Sequence, residues 1–305
     1  MSPSTDRKDA YTRITETLIA QIEAGAGDWI MPWHRAIGQI ARPKNILSGQ
    51  RYRGVNRLML WSVADQFGYS TPVWGTYRQW SEAGCQVRKG EKSAPIIAFK
   101  TRERPEAEDE ENTDQTILVA RAYHVFNADQ VDGYTAEPDS TPIQTAFERN
   151  AAIEQFIANT GARIEHGGSR AFYSRVTDHI QMPARESFVG TPTQPAVEAY
   201  YNTVLHEAAH WTSAPHRCDR QLGKRFGDNA YAVEELIAEI SAAFLCADLA
   251  LAPIPRPDHA AYLSEWLSVL KGDSRAIVSA ASQAEKAADF LIGLQSLAQP
   301  QALAA

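Results

Sequence analysis

Apolar residues recur four positions apart at Ile14, Leu18 and Ile22, so residues 11–24 form an amphipathic helix that Gly25 and Gly27 close. Residues 56–67 carry Leu58, Leu60, Trp61 and Val63 and form a second helix. A short third one begins at Thr76-Tyr77-Arg78-Gln79-Trp80 and stops near Gly84. The pattern then changes to one that suits half-buried sheet: Ile96, Ile97 and Phe99 within 94–100, and Leu118, Val119, Tyr123, Val125 and Phe126 within 117–126, predict two strands. The acidic run 102–114 between them reads as an exposed insertion. Pro138, Asp139, Ser140 and Pro142 mark residues 134–142 as a linker. A helix to about Asn159 and three short strands (162–165, 171–174 and 178–182) follow, the last nominated as an edge strand beside a cleft. Two strongly helical segments come next, one opened by Pro195 and running through residues 204–211, the other spanning 231–246, with a polar, basic loop at 216–229. Helices at about 257–270 and 273–297, with Trp266, Leu267 and Phe290, cap the core. The order predicts an α+β chain: a mixed helix and antiparallel-sheet domain over 1–133, the linker, and a second domain over 143–305.

A chain of 305 residues with 44% hydrophobic content has enough apolar surface for two such cores. The amino terminus is polar, and Asp248 interrupts the longest apolar candidate run, so no membrane span or apolar leader is expected. Three distant cysteines, Cys85, Cys218 and Cys246, give no disulfide framework and fit a reducing compartment. The expectation is a soluble, cytoplasmic protein. Its net charge of −7 conceals a basic region: residues 29–100 hold 11 Lys and Arg against 3 Asp and Glu, a surplus of eight.

The chemistry concentrates in Val204-Leu205-His206-Glu207-Ala208-Ala209-His210-Trp211, which contains His-Glu-x-x-His. On a helix, residues four apart share a face, so His206 and His210 can present imidazoles to one metal ion. Glu207 points to an adjacent face, where it can act as general base toward the attacking water. Two candidates compete for a third ligand. His216 stands six residues after His210, where metzincins place a histidine, but the glycine their turn needs is Ser213, and no methionine follows Met182. The better candidate is Glu235 in the next helical segment, with Glu239 one turn on. That Glu-x-x-Ala-Glu spacing resembles the Glu-x-x-Ser-Asp of thermolysin-like gluzincins, where the first acid binds zinc and the second orients a ligand histidine. Tyr231 and His216 are candidates to assist at an oxyanion.

In the basic region Trp29, Trp33, Tyr52, Trp61, Trp74, Tyr77 and Trp80 alternate with Arg and Lys. Aromatics that stack bases, beside cations that follow phosphates, are how single-stranded nucleic acid is held. Trp61 and Trp80, at helical spacing, are expected in the core instead.

The run Trp29-x-x-Pro-Trp33, Pro43-x-Asn45-x-x-x-Gly49-x-x-Tyr52-Arg53-Gly-x-Asn56, Thr76-Tyr77-Arg78-Gln79, Gly84-x-x-Val87-Arg88-Lys89-Gly90-Glu91-Lys92 and Val125-Phe126-Asn127-x-x-Gln130 resembles ArdC-type antirestriction proteins. The same amino-terminal domain occurs in TraC-type primases. The carboxy-terminal part, with His206-Glu-x-x-His210, Arg217 and Arg220, then Tyr231-Ala-x-Glu-Glu235-Leu-x-Ala-Glu239, is similar to the zincin-like metallopeptidase domain paired with it. The resemblance covers about residues 11–292. It implies single-stranded-DNA binding, protection of incoming plasmid DNA from host restriction during conjugation, and one divalent metal, zinc or another ion such as manganese. Candidate DNA contacts are Trp33, Arg42, Asn45, Tyr52, Arg53, Asn56, Trp74, Tyr77, Arg88, Lys89 and Lys92. A peptide substrate would belong to a host restriction or defence protein. The alternative is a non-catalytic protein that shields single strands, with a structural or vestigial metal site. No compact acidic cluster supports two-metal nucleotidyl transfer, so a primase ranks behind both.

Overall fold

A computed structural model describes residues 10–25, 42–103, 116–136, 145–190, 195–220, 229–251 and 259–298. Trp29, Trp33, most of the acidic run and most of the expected linker lie outside these residues. Helix α1 spans Ala10–Gly25 and buries Ile14, Leu18 and Ile22, the stripe the sequence predicts. Helix α2, Val55–Phe67, is closed by Gly68 in the left-handed conformation (φ 69°), where a Cβ would be strained. The antiparallel pair β4 (Ala94–Glu103) and β5 (Thr116–Asn127) runs in register from Ala94 opposite Val125 to Glu103 opposite Thr116. Strands β1 (Lys44–Asn45) and β2 (Val73–Gly75) complete a sheet of order β1-β2-β5-β4. Helix α3 (Tyr77–Glu82) and the small ribbon of β3 (Gln86–Val87) with β6 (Val131–Asp132) flank it.

Several motifs in this half hold backbone. Thr76 and Gln79 form a reciprocal capping box at the start of α3, and Asn127 and Gln130 form another after β5. The Asn45 carboxamide oxygen accepts from the amides of Leu47 and Ser48, each at 3.1 Å, and Gly49 (φ 66°) lets the turn close. Gly75 is required by close approach: a Cβ there would stand 2.6 Å from Ile46 Cγ2 and 3.2 Å from the Trp80 indole nitrogen.

In the second half, α4 (Ala146–Asn159) starts at a Thr145–Glu148 capping box. Strands β7 (Arg163–His166), β8 (Phe172–Ser174) and β9 (His179–Met182) follow. Their order is β7-β9-β8, so β9 is the central strand, parallel to β7 and antiparallel to β8. This corrects the expectation of an edge over 178–182. Ile180 and Met182 are fully buried, as a strand paired on both sides and covered by a helix must be. That helix is α5, Ala196–Trp211, packed between the sheet and helices α6 (Asn229–Asp248) and α8 (Ala276–Ala298). Helix α7, His259–Gly272, lies beside them.

The sequence assigns the last helices to a capping role, whereas α8 runs through the middle. Ala280, Ala281, Ala284, Ala287 and Ala288 are buried along it, and it packs against α1, α2, α4, α5, α6 and α7. Small side chains let so many neighbours approach one axis. A continuous hydrophobic core therefore joins Leu58 and Trp61 of α2 to Phe244 of α6 and Leu291 of α8. Arg57, fully buried, bridges the same seam: its guanidinium lies 4.3 Å from the ring centres of both Trp61 and Phe244, donates to the Phe244 carbonyl at 3.0 Å and pairs with Asp248 at 3.3 Å.

Candidate metal centre

His206 and His210 project from the same face of α5, with ring centroids 4.8 Å apart and their Nε2 atoms separated by 3.1 Å. Glu235, entering from α6, places Oε2 3.5 Å from His206 Nε2 and Oε1 3.5 Å from His210 Nε2. One potential ligand atom from each of the three residues lies within 4.8 Å of the others, and all three residues are buried. The outer ring nitrogens are also met by carboxylates. Glu239 Oε2 lies 3.4 Å from His206 Nδ1, and Glu234 Oε1 lies 3.2 Å from His210 Nδ1. A carboxylate on Nδ1 fixes the imidazole so that Nε2 carries the lone pair inward. Glu207, on the same helix, is also buried.

Arg220 holds Glu234 in turn, donating from Nε at 3.0 Å and Nη2 at 2.8 Å to its two oxygens. The same guanidinium donates to Thr212 Oγ1 and to the Ala209 carbonyl, each at 2.7 Å, which ties the end of α5 to α6. Glu234 and Arg220 carry no role in the sequence reading. Their signals were the Glu-Glu doublet at 234–235 and the cation in the basic loop, neither of which tells which nitrogen it faces.

Among the described residues, four carboxylates, Glu207, Glu234, Glu235 and Glu239, surround this point, with the guanidinium of Arg220 beside them. Such an excess of buried negative charge calls for further cations. Without a metal, a proton on His210 offsets part of that charge. Burial drives His210 down, but Glu235, Glu234 and Glu207 outweigh it and raise it to about 10. Burial pushes Glu235 up, yet the two imidazoles hold it far below the usual carboxylate range.

His216 and Cys218, two further residues of ligating type after α5, turn elsewhere. His216 is exposed and faces Asp178 and Arg217, at 3.8 and 2.6 Å. Cys218 Sγ lies 4.0 Å from the Lys286 carbonyl. Tyr231 has its hydroxyl 3.1 Å from that of Tyr262, and burial, Tyr262 and Glu235 all push its titration upward.

Residues 8–126 match the model for the N-terminal domain of anti-restriction factor ArdC, and residues 151–283 match the zincin-like metallopeptidase model. The chain is 47% identical to protein y4eC of Sinorhizobium fredii over 296 residues, covering 95% of this chain and 94% of that one. It is 40% identical to the crystal structure of the antirestriction protein ArdC from plasmid R388 in its metal-free form, with a TM-score of 0.75 and coverage of 95% and 98%. The chain belongs to the ArdC antirestriction family. The Mn(II)-bound structure of R388 ArdC matches at 38% identity, TM-score 0.75, over 95% of this chain and 100% of that one. DNA primase TraC of Escherichia coli is 36% identical over 306 residues, and the chain spans 27% of its length.

Within the ArdC-type amino-terminal half, many residues expected to touch DNA have partners inside the protein. Arg42 forms a two-pronged ion pair with Asp248, and Arg53 pairs with Asp289. Arg88 meets Glu91 at 3.1 Å and Asp132 at 3.6 Å. Asn56 exchanges two hydrogen bonds with the backbone of Ile97, at 2.7 and 2.8 Å. Asn45 donates to the Tyr52 hydroxyl and to Gln79, both at 3.1 Å. Trp74 is 1% exposed, so it has no ring face for a base and is corrected from DNA contact to core, alongside Trp61 and Trp80. Tyr77, Lys89 and Lys92 are exposed. Trp33 lies outside the described residues. No helix among the described residues is long and apolar enough to cross a membrane.

Proposed function

We propose that this protein binds single-stranded DNA through its amino-terminal half and protects incoming DNA from host restriction, with a metal-dependent, peptidase-like centre in its carboxy-terminal half. The observation that carries the metal part is the convergence of both histidine Nε2 atoms and Glu235 on one point, with Glu239 and Glu234 behind the rings. His206, His210 and Glu235 would hold a divalent ion of the zinc class, with manganese as a second candidate in view of the Mn(II)-bound relative. Three protein ligands, with His216 and Cys218 directed away, fit a site that keeps a position open, as hydrolytic centres do.

A bound divalent ion supplies a Lewis acid that polarises a carbonyl and makes water more acidic. Glu207, next to His206 on α5, takes the proton from the attacking water and later returns it to the leaving amine. Glu239 and Glu234 orient the imidazoles, and Arg220 keeps Glu234 ionised and in place. The peptide would belong to a host restriction or defence protein. Membership of the antirestriction family, the basic surplus of residues 29–100 and the relationship to TraC support the DNA part.

Glu207→Gln separates chemistry from shielding. It keeps the size of the side chain and removes the base. With hydrolysis essential, the variant retains metal, fold and oligonucleotide affinity but no longer protects unmodified plasmid DNA transferred into a restricting recipient. Protection equal to the parent by a metal-loaded Glu207→Gln protein would remove the hydrolytic reading and leave shielding.

A further inference from the structure

Arg42, Arg53 and Arg88 are engaged with carboxylates, so the cations available to phosphate must be sought elsewhere in the amino-terminal half. An open cleft of about 520 Å³ lies between the Asn45 turn, the start of α3 and the face of β4–β5 that carries Ile96, Lys100 and Tyr123. Its lining includes Arg51, Tyr52, Arg78, Gln79, Lys100 and Tyr123, and Glu82 is the one carboxylate among the described lining residues. Glu82 pairs with Arg78 at 2.7 Å. Arg51 and Lys100 form no ion pair among the described residues. The antiparallel register sets Tyr123 opposite Ile96 and Arg121 opposite Ala98, so Arg121, exposed, extends the same face two residues beyond Tyr123.

The cleft combines the two things a single strand needs. Its cations stand apart on separate elements, which suits a polymer of repeating charge better than one small anion. The Tyr123 ring already has the Lys100 ammonium 5.8 Å from its centre, a face that attracts positive charge and can take a base. The floor is held before any ligand arrives. Asn45 ties Tyr52 to Gln79, and the Gln79 side chain accepts from the Thr76 amide at 2.9 Å. That rigidity gives the motif residues Asn45, Thr76 and Gln79 a purpose: they shape the cleft from which Arg51 and Tyr52 project.

We propose that single-stranded DNA lies along this cleft, its phosphates met by Arg51, Lys100 and Arg121 and a base resting on Tyr123, and does not cross the surface of Arg42, Arg53 and Arg88. The inference rests on the single-strand reading above and locates it. The test uses the full-length protein and a fluorescent oligo-dT, titrated over a range of salt. Removing two phosphate contacts from a single strand flattens the log–log salt slope by about 1.4, since each contributes about 0.7. Arg51→Gln/Lys100→Gln is expected to show that flattening and about a tenfold loss of affinity at low salt. Arg51→Lys/Lys100→Arg is expected to keep the parental slope, and Arg53→Gln to stay close to the parent. Crosslinks from a 4-thiothymidine oligonucleotide, mapped by mass spectrometry, are expected in residues 45–52 and 116–125. Parental binding that survives in the double Gln variant, or crosslinks confined to residues 88–92, would overturn the cleft and leave single-strand binding standing. A parent that binds no oligonucleotide would remove both.

Discussion

Glu234 Oε1 lies 3.2 Å from Nδ1 of His210, while the next residue, Glu235, approaches the other nitrogen of the same ring at 3.5 Å. Consecutive residues of one helix thus grip opposite ends of one imidazole. Adjacent side chains on a helix point about 100° apart, so this is possible only because the ring stands between the two directions. Glu234→Gln keeps the shape but weakens the hold on Nδ1 and on Arg220. Metal affinity is expected to fall about 10- to 100-fold by chelator competition. An affinity equal to the parent would show that Glu234 does not position His210.

The titrations of His210 and Glu235 predict how the metal-free site responds to pH. His210 rises from its ordinary value of 6.5 to about 10 when folded, so its stabilising contribution is fully present below about pH 6.5 and is lost as pH climbs through 10. Glu235 is depressed from 4.5, so its contribution is present above about pH 4.5 and lost as pH falls through its lower folded value. Metal-free protein is therefore expected to melt highest between these limits and to weaken toward pH 10. Because a metal must displace the His210 proton, apparent affinity should rise with pH up to about 10. Isothermal titration across pH 6 to 9 in buffers of different ionisation enthalpy checks this through the protons released, and zero release at pH 7 would contradict it.

Arg57 predicts a contrast between two substitutions. Arg57→Ala removes the side chain packed between Trp61 and Phe244 and leaves the Phe244 carbonyl without its donor. It is expected to cost about 3–5 kcal/mol in chemical denaturation. Arg57→Met refills most of the space, and Asp248 keeps Arg42 as partner, so the loss should be clearly smaller. Equal losses would mean that charge, and not packing, dominates at this seam.

Gly75→Ala tests the close approach of β2 to the Asn45 turn. A Cβ 2.6 Å from Ile46 Cγ2 and 3.2 Å from the Trp80 indole nitrogen forces these packed side chains to shift. Destabilisation of about 1–3 kcal/mol is expected. If the cleft assignment holds, oligonucleotide affinity should fall with it, because Ile46 follows Asn45 directly. A melting temperature equal to the parent would show that Ile46 yields freely.

The sequence by itself determined what depends on spacing along one element. Ile14, Leu18 and Ile22 lie four apart, so any helix through them has that buried stripe. His206 and His210 obey the same rule, which is why two imidazoles facing one point could be read from five residues. The α+β class and the strands β4 and β5 were legible for the same reason. What separate elements do to one another was not. No local pattern distinguishes a central strand as short as β9 from an edge, because its place depends on how the chain crosses back to pair it parallel to β7. Nor does charge density reveal its partners. Arg42 and Asp248 are 206 positions apart, and Arg53 and Asp289 are 236, so a run that reads as free basic surface is partly neutralised by the second half. Glu234 and Arg220 entered the site only through the packing of α6 against α5, since a carboxylate's role is set by which nitrogen it meets, and that is decided in three dimensions.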